Sequence, residues 1–353
     1  MPAPQGRAAG GRSAVGDMDG ARTIVERAQL LVVENLIWAI LVAVFLAFSI
    51  ALPHFFTLQN VHFILYVASA IGLLVFAESL VLISGSMDLS IAHVAGLSSM
   101  LVGALTIQWI PGMPGWTGIV LIVVVGAMLG SVNGTLIGWL GINPFLATLS
   151  TFLMYDWLTF CINRGAISRV SPALTFLGGG RILGVFVAIA VMLAVCALLG
   201  FVLTRTRFGG WVKAMGGNPQ AAQMLGINLP WMNFWVFTIA GALSGLSGLL
   251  FIGYLASIPS TIAGGDDIFL AFAGAIIGGV SLKGGEGSMA GALGGVLLLG
   301  VIDTGTAMTL IQPAVRGFLN GLILLAAILV NKYRLELRDR ILAAHPGTSG
   351  AAV

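Results

Sequence analysis

The chain alternates long apolar runs with short polar interruptions over most of its length. Apolar runs of about 20 residues are long enough to cross a ~30 Å hydrocarbon core as helices. The eighth run is short and rich in glycine, which favours a half-helix or a re-entrant segment. We therefore predict an all-α fold, a polytopic transmembrane helical bundle of about ten membrane segments, some of them broken or re-entrant. The predicted segments lie near residues 32–52, 61–84, 90–110, 117–140, 144–162, 182–203, 231–254, 267–282, 287–308 and 314–331.

One polar interruption is longer than the others and lies at about residues 205–229, where the chain reads RTRFGGWVKAMGGNPQAAQMLGINL. Its composition is basic and helix-forming, which is typical of a segment that contacts something outside the lipid. Gly216 and Gly217, together with the asparagine that follows them, predict a turn in its middle.

After that turn the pattern predicts a short helix of about two turns. Asn218 is placed as the N-cap, Pro219 as the first helical residue and Gly226 as the C-terminal stop. Ala221 and Ala222 are expected to give this helix a small face that allows close approach. Such a helix would suit a socket in a soluble partner, and the alternative is a plain connecting loop.

Composition excludes an ordinary soluble protein. Of the 353 residues, 58% are hydrophobic and only 8% are charged, whereas a soluble domain of this length carries roughly a quarter charged residues. The net charge of +3 does not indicate nucleic acid, because lysine and arginine lie in the loops and tails that flank the membrane. The expected surroundings of the spans are lipid.

The placement of lysine and arginine predicts the orientation. Basic residues precede the first span, follow the last and occur in the central interruption; with ten spans these groups share one side, which should be cytoplasmic. The predicted organisation is a disordered cytoplasmic tail at 1–31, a transmembrane domain at 32–332 and a cytoplasmic tail at 333–353. The loop 163–181 then lies outside although it carries arginines, either as a contact surface for an external partner or as an ordinary translocated loop.

Glycines repeat at a spacing of four, which predicts close helix packing. Helices in lipid associate through small residues that let backbones approach. We expect these glycines to form packing seams: Gly126, Gly130, Gly134 and Gly138; Gly241 and Gly245; Gly291 and Gly295.

Two acidic residues lie inside apolar segments, where they are costly and mark candidate function. Glu78 lies in mid-span, and it is either a pathway residue or a packed, neutral one. Asp88 lies in ISGSMDLS, where glycine and serine break the helix. A helix that restarts there would place Asp88 and Ser90 near its N-terminus, where a carboxylate can cap free amides. That structural role stands beside a direct role in substrate passage or gating.

A second break resembles the first. The stretch AGAIIGGVSLKGGEGSMAGALGG passes from an apolar helix into glycine, serine and charge and back, as VLISGSMDLSIAHVAG does. The comparison indicates two related halves, each with an interrupted helix pair. Repeats with broken helices are common in transporters and often surround the translocation path.

Enzyme, metal and nucleotide motifs are missing from the sequence. It contains no HExxH, GxSxG or paired-cysteine pattern, and KGGEG is not a phosphate loop. His54, His62 and His93 have no ligand-spaced partners, and Cys161 and Cys196 are expected to be small buried residues. We predict no catalytic residue and no metal site, and no ATP binding by this chain.

Four stretches, in order, resemble one family. FGGWVKAMGGNPQAAQMLGI resembles the cytoplasmic coupling segment of the permease subunits of ribose-type (simple sugar) ABC importers. GSMDLSIA is similar to the family's Gly-Gly-Ile-Asp-Leu-Ser-Val-Gly signature. GSVNGTLIGWLGINPFLATLSTF and IIGGVSLKGGEGSMAGALGGVLLLGVID resemble two further motifs of the family. The resemblance covers roughly residues 35–332.

The resemblance implies a permease subunit of the bacterial inner membrane that spans it several times, with both termini cytoplasmic. Such a subunit hydrolyses nothing itself and holds no cofactor, because cytoplasmic ATPase subunits bind ATP and Mg. It pairs with a second permease copy, identical or homologous, and receives a sugar from a periplasmic or lipoprotein sugar-binding protein. The positions that match the coupling motif are Gly217, Asn218, Ala221, Ala222 and Gly226.

Passage of a sugar requires hydrogen-bonding groups and aromatic faces. Our candidates for the translocation pathway are Glu78, Asp88, Ser90, Asn133 and Asn143. Further groups of this kind near the fourth and fifth spans are Ser150, Thr151 and Trp157.

The chain departs from the family pattern at four positions. Ser86 and Ala92 replace glycines of the signature, and Gln220 and Gln223 replace an acidic residue and an arginine of the coupling motif. Docking should therefore rest on shape more than on ion pairs.

Two other functions compete with the importer. A secondary transporter would use Glu78 or Asp88 as a proton or cation site, but it would not need a cytoplasmic docking helix. An intramembrane enzyme would need a catalytic group that the sequence does not assemble.

Overall fold

The computed structural model describes residues 36–260 and 265–309 together with scattered positions between 312 and 333. Most of the described residues are helical. The helices are α1 (Leu36–Ala51), α2 (Leu58–Ile83), α3 (Ile91–Gly103, continued by a π-helical turn at Ala104–Trp109), α4 (Gly115–Gly138), α5 (Pro144–Ile162), α6 (Pro172–Gly179), α7 (Val187–Arg205), α8 (Arg207–Gly217), α9 (Pro219–Met224), α10 (Leu229–Leu255), α11 (Gly265–Ile277) and α12 (Met289–Met308). Strands β1 (Arg181–Ile182) and β2 (Val185–Phe186) form a small antiparallel hairpin.

The predicted polytopic bundle is confirmed. Among the described residues, seven helices are long and apolar enough to cross a membrane, namely α2, α3 with its π-helical turn, α4, α5, α7, α10 and α12. Helix α1 is apolar and has 16 residues, and α11, the predicted short eighth segment, has 13. The predicted tail 1–31, the predicted tail 333–353 beyond its first residue, and most of the tenth segment 314–331 lie outside the described residues.

The bundle has two ends that the helices keep apart. Helix α7 runs from the β1–β2 hairpin to α8, and its 19 residues span roughly 28 Å at 1.5 Å per residue. Helix α2 runs the same way, because Tyr66 stacks on Phe186 of the hairpin and Ile83 at its other terminus bonds Gly285 near α8. We call these the hairpin end and the coupling end.

Helix α10 is the central helix and packs against α2, α3, α4 and α6. Along its contact with α4, the glycines of α4 lie directly against the backbone of α10. A Cβ added to Gly130 would lie 2.9 Å from the Cα of Gly241, and one added to Gly134 would lie 2.7 Å from the Cα of Phe234. The predicted glycine seam of α4 is therefore confirmed. Its partner is α10, which carries the second predicted pair, Gly241 and Gly245.

The third predicted glycine pair forms another seam, between α11 and α12. A Cβ on Gly295 would lie 3.1 Å from the backbone nitrogen of Gly278, and one on Gly278 would lie 2.7 Å from the Cα of Ala292. Small residues on both helices let the two backbones touch, which is the usual basis of helix association in lipid.

The outer face of α4 is apolar and lies opposite its glycines. Val124, Met128 and Val132 are each 45% or more exposed and follow one another at intervals of four residues. They are offset by two residues from the glycine stripe, which at about 100° per residue puts them on the far side of the helix. The helix thus packs with its small residues and presents its large ones outwards.

Candidate functional site

The polar interruption folds into two helices at the coupling end. Helix α9 is built as the sequence predicts, because the Oδ1 atom of Asn218 accepts a hydrogen bond from the Ala221 amide at 3.0 Å and Pro219 is the first helical residue. The predicted stop is also present, since Gly226 follows the last turn with φ +83°. The predicted turn at Gly216 is wrong: this residue still belongs to α8, and Asn218 alone separates the two helices.

The two alanines of α9 do not share an outward face. Ala221 is exposed, but Ala222 is only 2% exposed and packs into the bundle, so the predicted common face is wrong for Ala222. The outward tip consists of Met224, 89% exposed, and Leu225, 81% exposed, beside the exposed Gln220. This tip is apolar and uncharged, which agrees with the presence of Gln220 and Gln223 where the coupling motif has charged residues.

Behind this tip, three glycine segments meet backbone to backbone. We call Gly85, Gly216, Gly217, Gly284 and Gly285 the glycine junction. A Cβ on Gly85 would lie 3.1 Å from the Cα of Gly216, one on Gly284 would lie 2.7 Å from the Cα of Gly85, and one on Gly285 would lie 2.8 Å from the Cα of Gly217. The end of α8 therefore touches both broken segments, the one after α2 and the one after α11.

Two separate reasons favour glycine in this junction. The first is space, since a Cβ added to Gly216, Gly284 or Gly285 would collide with another backbone, and one added to Gly85 would be tightly crowded. At Gly217 the added Cβ would lie 4.0 Å from the nearest backbone, which is an ordinary contact. The second is conformation, because Gly85, Gly284 and Gly285 have φ values of +83°, +82° and +78°, a region that other residues rarely adopt. The amide of Gly285 donates to the carbonyl of Ile83 at 2.8 Å. The two predicted breaks thus exist, and they bond to each other.

A buried chain of polar side chains starts at the first break. The Oδ1 atom of Asp88 accepts from the amide of Ser90 at 2.8 Å and from its hydroxyl at 2.6 Å. Asn133 of α4 donates to the Ser90 oxygen at 2.7 Å, and Thr151 of α5 donates to Asn133 at 2.8 Å. Glu78 of α2 accepts from the Asp88 amide at 3.4 Å. These five residues, here the polar chain, join four helices.

The capping interpretation of Asp88 is confirmed in a specific form. Ser90 is the N-cap of α3, and Asp88 bonds the amide and the hydroxyl of that residue, so the carboxylate holds the first turn in place. Every residue of the polar chain is at most 2% exposed, so a substrate could reach them only after the helices had moved. A role in the pathway for Glu78, Asp88, Ser90 or Asn133 stays a prediction.

Asn143 does not join the polar chain. It is exposed and caps α5, accepting from the amide of Phe145 at 3.0 Å. Ser150 is also exposed and bonds the carbonyl of Leu146 within its own helix, and Trp157 is 66% exposed. The structure therefore brings together four of the five predicted pathway residues and leaves Asn143 as a cap.

At the opposite, hairpin end lies a cavity that the sequence interpretation missed. Its volume is about 260 Å³, and residues of α2, α7, α10, α11 and α12 line it. Tyr66, Phe251, Tyr254, Asp267 and Asp303 are among its lining residues. Acidic residues in or beside apolar spans mark candidate function. Asp303, which ends the apolar run GVLLLGVID, could therefore have indicated a site here.

An aromatic stack leads from the hairpin to this cavity. The Tyr66 and Phe186 rings are nearly parallel, with centroids 3.7 Å apart, and the Arg181 guanidinium lies 4.1 Å from the Phe186 ring centroid. Tyr254 continues the series, its ring centroid 5.5 Å from that of Tyr66. The rings of Phe186, Tyr66 and Tyr254 thus form a continuous series from the hairpin to the cavity.

Histidines and cysteines offer no reactive cluster. His93 lies 3.6 Å from Asp156 of α5, a pairing that sequence spacing could not indicate. Cys196 is buried as expected, whereas Cys161 is exposed, so the prediction for Cys161 is wrong. Across 36–260 and 265–309, no three histidine, cysteine, aspartate or glutamate side chains are grouped to hold a metal ion.

Comparison with known proteins supplies the family. The family described as "Branched-chain amino acid transport system / permease component" matches residues 60–328. The fructose import permease protein FrcC of Rhizobium meliloti is 31% identical over 304 residues, which cover 83% of this chain and 84% of that protein. No solved structure matches the chain.

Two further relatives have similar coverage. The ribose import permease protein RbsC of Haemophilus influenzae is 29% identical, with 80% of this chain and 87% of that protein aligned. The L-arabinose ABC transporter permease protein AraH of Azospirillum brasilense is 30% identical, with 85% and 87% aligned. The chain therefore belongs to this family of ABC transporter permease subunits, which are multi-pass inner-membrane proteins and not enzymes themselves.

Proposed function

We propose that this chain is the membrane-spanning subunit of an ABC importer that takes up a monosaccharide or a similar small polyol. The family description names branched-chain amino acids, whereas the similar proteins are named for fructose, ribose and L-arabinose. Separate cytoplasmic ATPase subunits bind ATP and Mg and hydrolyse the nucleotide, and this chain has no catalytic activity of its own.

The glycine junction is the observation that carries the proposal. It places the base of the α8–α9 segment against both broken helix pairs without an intervening side chain. A displacement of α9 by a partner therefore reaches the two breaks directly, and one of those breaks begins the polar chain. A plain connecting loop would need no such contact.

The exposed tip of α9 is the proposed docking point for the ATPase. Met224 and Leu225 project from it almost fully exposed, and their neighbours Gln220 and Gln223 carry no charge. The proposed contact between α9 and the ATPase therefore depends on shape complementarity and on the burial of apolar side chains. Gly217, Asn218, Ala222 and Gly226 act indirectly, by ending α8, capping α9, packing it against the bundle and closing its last turn.

Tryptophans support a position for this segment at the membrane surface. Trp211, Trp231 and Trp235, each about half exposed, line an apolar groove of about 560 Å³ beside Gly226. Tryptophan is enriched at membrane–water interfaces. We therefore place the coupling end at the cytoplasmic face, with both termini on that side, and the hairpin end towards the extracytoplasmic sugar-binding protein. A second permease copy completes the proposed importer.

The docking proposal is tested with Met224→Glu and Leu225→Glu in the full importer. We expect each variant to lose most co-purification with the ATPase and most ATP-driven uptake while keeping its thermal stability, because both side chains are exposed. Ala222→Glu is unsuitable because it would bury a carboxylate. The matched control is Leu183→Glu, since Leu183 is 99% exposed at the hairpin end and should leave ATPase association unchanged. Normal association of the Met224 and Leu225 variants would contradict the proposal.

Buried acids favour the competing function, a secondary transporter. Glu78 and Asp88 are neighbours in the core, and the Oε2 atom of Glu78 has no hydrogen-bond partner among the described residues. Uptake that persists without any ATPase subunit and collapses with an uncoupler would establish this alternative. Uptake that requires ATP and withstands the uncoupler supports the importer.

A further inference from the structure

We propose that the cavity at the hairpin end is a transient binding site for the transported monosaccharide, formed within a single permease subunit. This inference rests on the proposed function and gives it a location. Helices α2, α7, α10, α11 and α12 form the walls, and the lining includes Tyr66, Phe251, Tyr254, Asp267 and Asp303. It lies apart from the polar chain, where we had predicted the pathway.

The size of the cavity selects a small ligand. Its volume of about 260 Å³ is below the ~300–1,000 Å³ typical of pockets for drug-sized ligands. A single sugar ring suits such a space, whereas an oligosaccharide does not. Alanines widen it, because Ala68, Ala70 and Ala188 stand where larger side chains would fill the gap.

The chemistry of the lining suits a polyol. Tyr66 and Tyr254 present ring faces at 59° to each other, and the C–H groups of a sugar ring pack against the electron-rich face of an aromatic ring. Asp267 and Asp303 supply carboxylate oxygens, which accept hydrogen bonds from hydroxyl groups. Aromatic faces and acceptors side by side match the alternating apolar and polar surfaces of a monosaccharide.

A wider space at the hairpin leads towards this site. It has a volume of about 780 Å³ and is lined by Gln59, Asn60, His62 and Arg181. Tyr66 lines both spaces, and its stack with Phe186 stands between them. A sugar released at the hairpin would pass this pair of rings, exchanging one aromatic face for the next.

The first experiment measures uptake and ATP hydrolysis together. The full importer is reconstituted in proteoliposomes and supplied with D-ribose, D-fructose, L-arabinose or D-allose. For Tyr254→Ala and Asp267→Asn we expect uptake to fall roughly tenfold, as the loss of about 1.4 kcal/mol of binding predicts. ATPase association should be unchanged, because both residues lie at the end opposite α9. Tyr254→Phe, which keeps the ring, should retain more uptake than Tyr254→Ala.

Matched controls come from α11 itself. Asp266 is the exposed neighbour of Asp267, and Phe269 is 52% exposed; neither lines the cavity. Asp266→Asn and Phe269→Leu should therefore leave uptake within about twofold of the wild type, a change of about 0.4 kcal/mol. Equal losses in controls and cavity variants would mean that α11 is merely sensitive to substitution, and the inference would be rejected.

The second experiment detects occupancy without transport. Leu270, which lines the cavity, is replaced by cysteine in a chain that also carries Cys161→Ser and Cys196→Ala. In the assembled importer, its reaction with a small thiol reagent should slow when D-ribose or another transported sugar is present. Reaction of the control Phe269→Cys should be unaffected. This measurement stands even if Tyr254→Ala fails to fold.

The outcomes separate the two proposals. If the wild-type importer takes up a sugar but the cavity variants are normal and no sugar protects Leu270→Cys, the cavity inference is overturned and the importer stands. If L-leucine protects Leu270→Cys and the sugars do not, the assignment of a polyol is wrong. If the wild type takes up no sugar while its ATPase associates normally, the proposed substrate class itself fails.

Discussion

At the scale of single residues, Asn133 has the most demanding environment. Its side chain donates to Ser90 and accepts from Thr151, so one amide links α3, α4 and α5. No bulk water replaces these bonds, because the polar chain is buried. A buried polar group that loses its partner costs about 1–3 kcal/mol.

We therefore predict that Asn133→Leu lowers the free energy of unfolding by about 2 kcal/mol, chiefly through the unpaired Ser90 oxygen. Thermal unfolding of the purified protein in detergent measures the change. Ser131→Ala is the control on the same helix, because Ser131 is only partly buried and its hydroxyl bonds the Met128 carbonyl of its own helix. Its effect should stay within about 0.5 kcal/mol. Equal stability of the two variants would contradict the described polar chain.

The glycine junction gives a second residue-scale prediction. An alanine at Gly216 would overlap the carbonyl of Ile83 and lie 2.6 Å from the nitrogen of Gly285, whereas Gly210 of the same helix has open space around it. Overpacking should make Gly216→Ala less stable by about 1–3 kcal/mol, while Gly210→Ala should gain up to about 1 kcal/mol through helix propensity. Melting temperature and ATP-driven uptake of the two variants test this, and similar values for both would refute the close approach.

Residue-scale expectations succeeded where the cause was local. The Asn218 cap, the Pro219 start and the break before Asp88 all follow from neighbours within a few positions. Asn133, which donates to Ser90, lies 43 residues away from it. Ala222 is buried because α9 packs on the bundle. Neither fact has a signature in the adjacent sequence.

At the scale of elements, the α4–α10 seam orders the bundle. Gly130 meets the backbone of α10, including the Cα of Gly241 at 2.9 Å from an added Cβ. A Cβ added to Gly118 of the same helix would have the Leu174 side chain as its nearest neighbour, at 2.8 Å. A side chain can rotate away from an added methyl group, but a helix backbone cannot.

We accordingly predict that Gly130→Ala costs about 1–3 kcal/mol and Gly118→Ala distinctly less. Chemical or thermal unfolding in one detergent provides the comparison. Because both changes are glycine to alanine within α4, helix propensity cancels between them. A larger loss for Gly118→Ala would show that α4 and α10 are not in contact as described.

Some elements follow from the sequence and others do not. Period-four glycines predicted the seams, and apolar length predicted the long helices. Helix α8 was missed because its glycines oppose helix formation in isolation. Its Thr206 cap is local, but the contact of its end with the two breaks lies far away in the sequence. The hairpin of Arg181 to Phe186 depends on the stack of Phe186 with Tyr66, more than a hundred residues earlier.

At the scale of the whole molecule, the proposed docking tip of α9 and the proposed substrate cavity lie at opposite ends of the bundle. Roughly 28 Å of helix separates α8 from the hairpin. No single stretch of sequence predicts this division, because the cavity takes its lining from five helices. The family resemblance predicted the function correctly. The pathway role of the polar chain stays a prediction, and the cavity at the hairpin end adds a proposed substrate site that the sequence did not indicate.

The separation predicts that stability effects at the two ends are independent. Changes in the free energy of unfolding for Met224→Glu and Tyr254→Ala should add within about 0.5 kcal/mol in the double variant, as for sites more than about 10 Å apart that share no partner. A thermodynamic cycle of four proteins measures this. A coupling energy well above that value would show that the two ends communicate in the resting state.

The glycine junction has a consequence for the energy needed in each transport cycle. Side chains that interlock must find new rotamers whenever their helices shift, and the ordering of a long side chain costs up to about 2 kcal/mol. Backbones that meet at Gly85, Gly216 and Gly284 have no rotamers to lose or regain. One backbone hydrogen bond, from Gly285 to Ile83, joins two of these segments, and its loss would cost about 1 kcal/mol. We therefore expect the three segments of the glycine junction to shift relative to one another at low energetic cost.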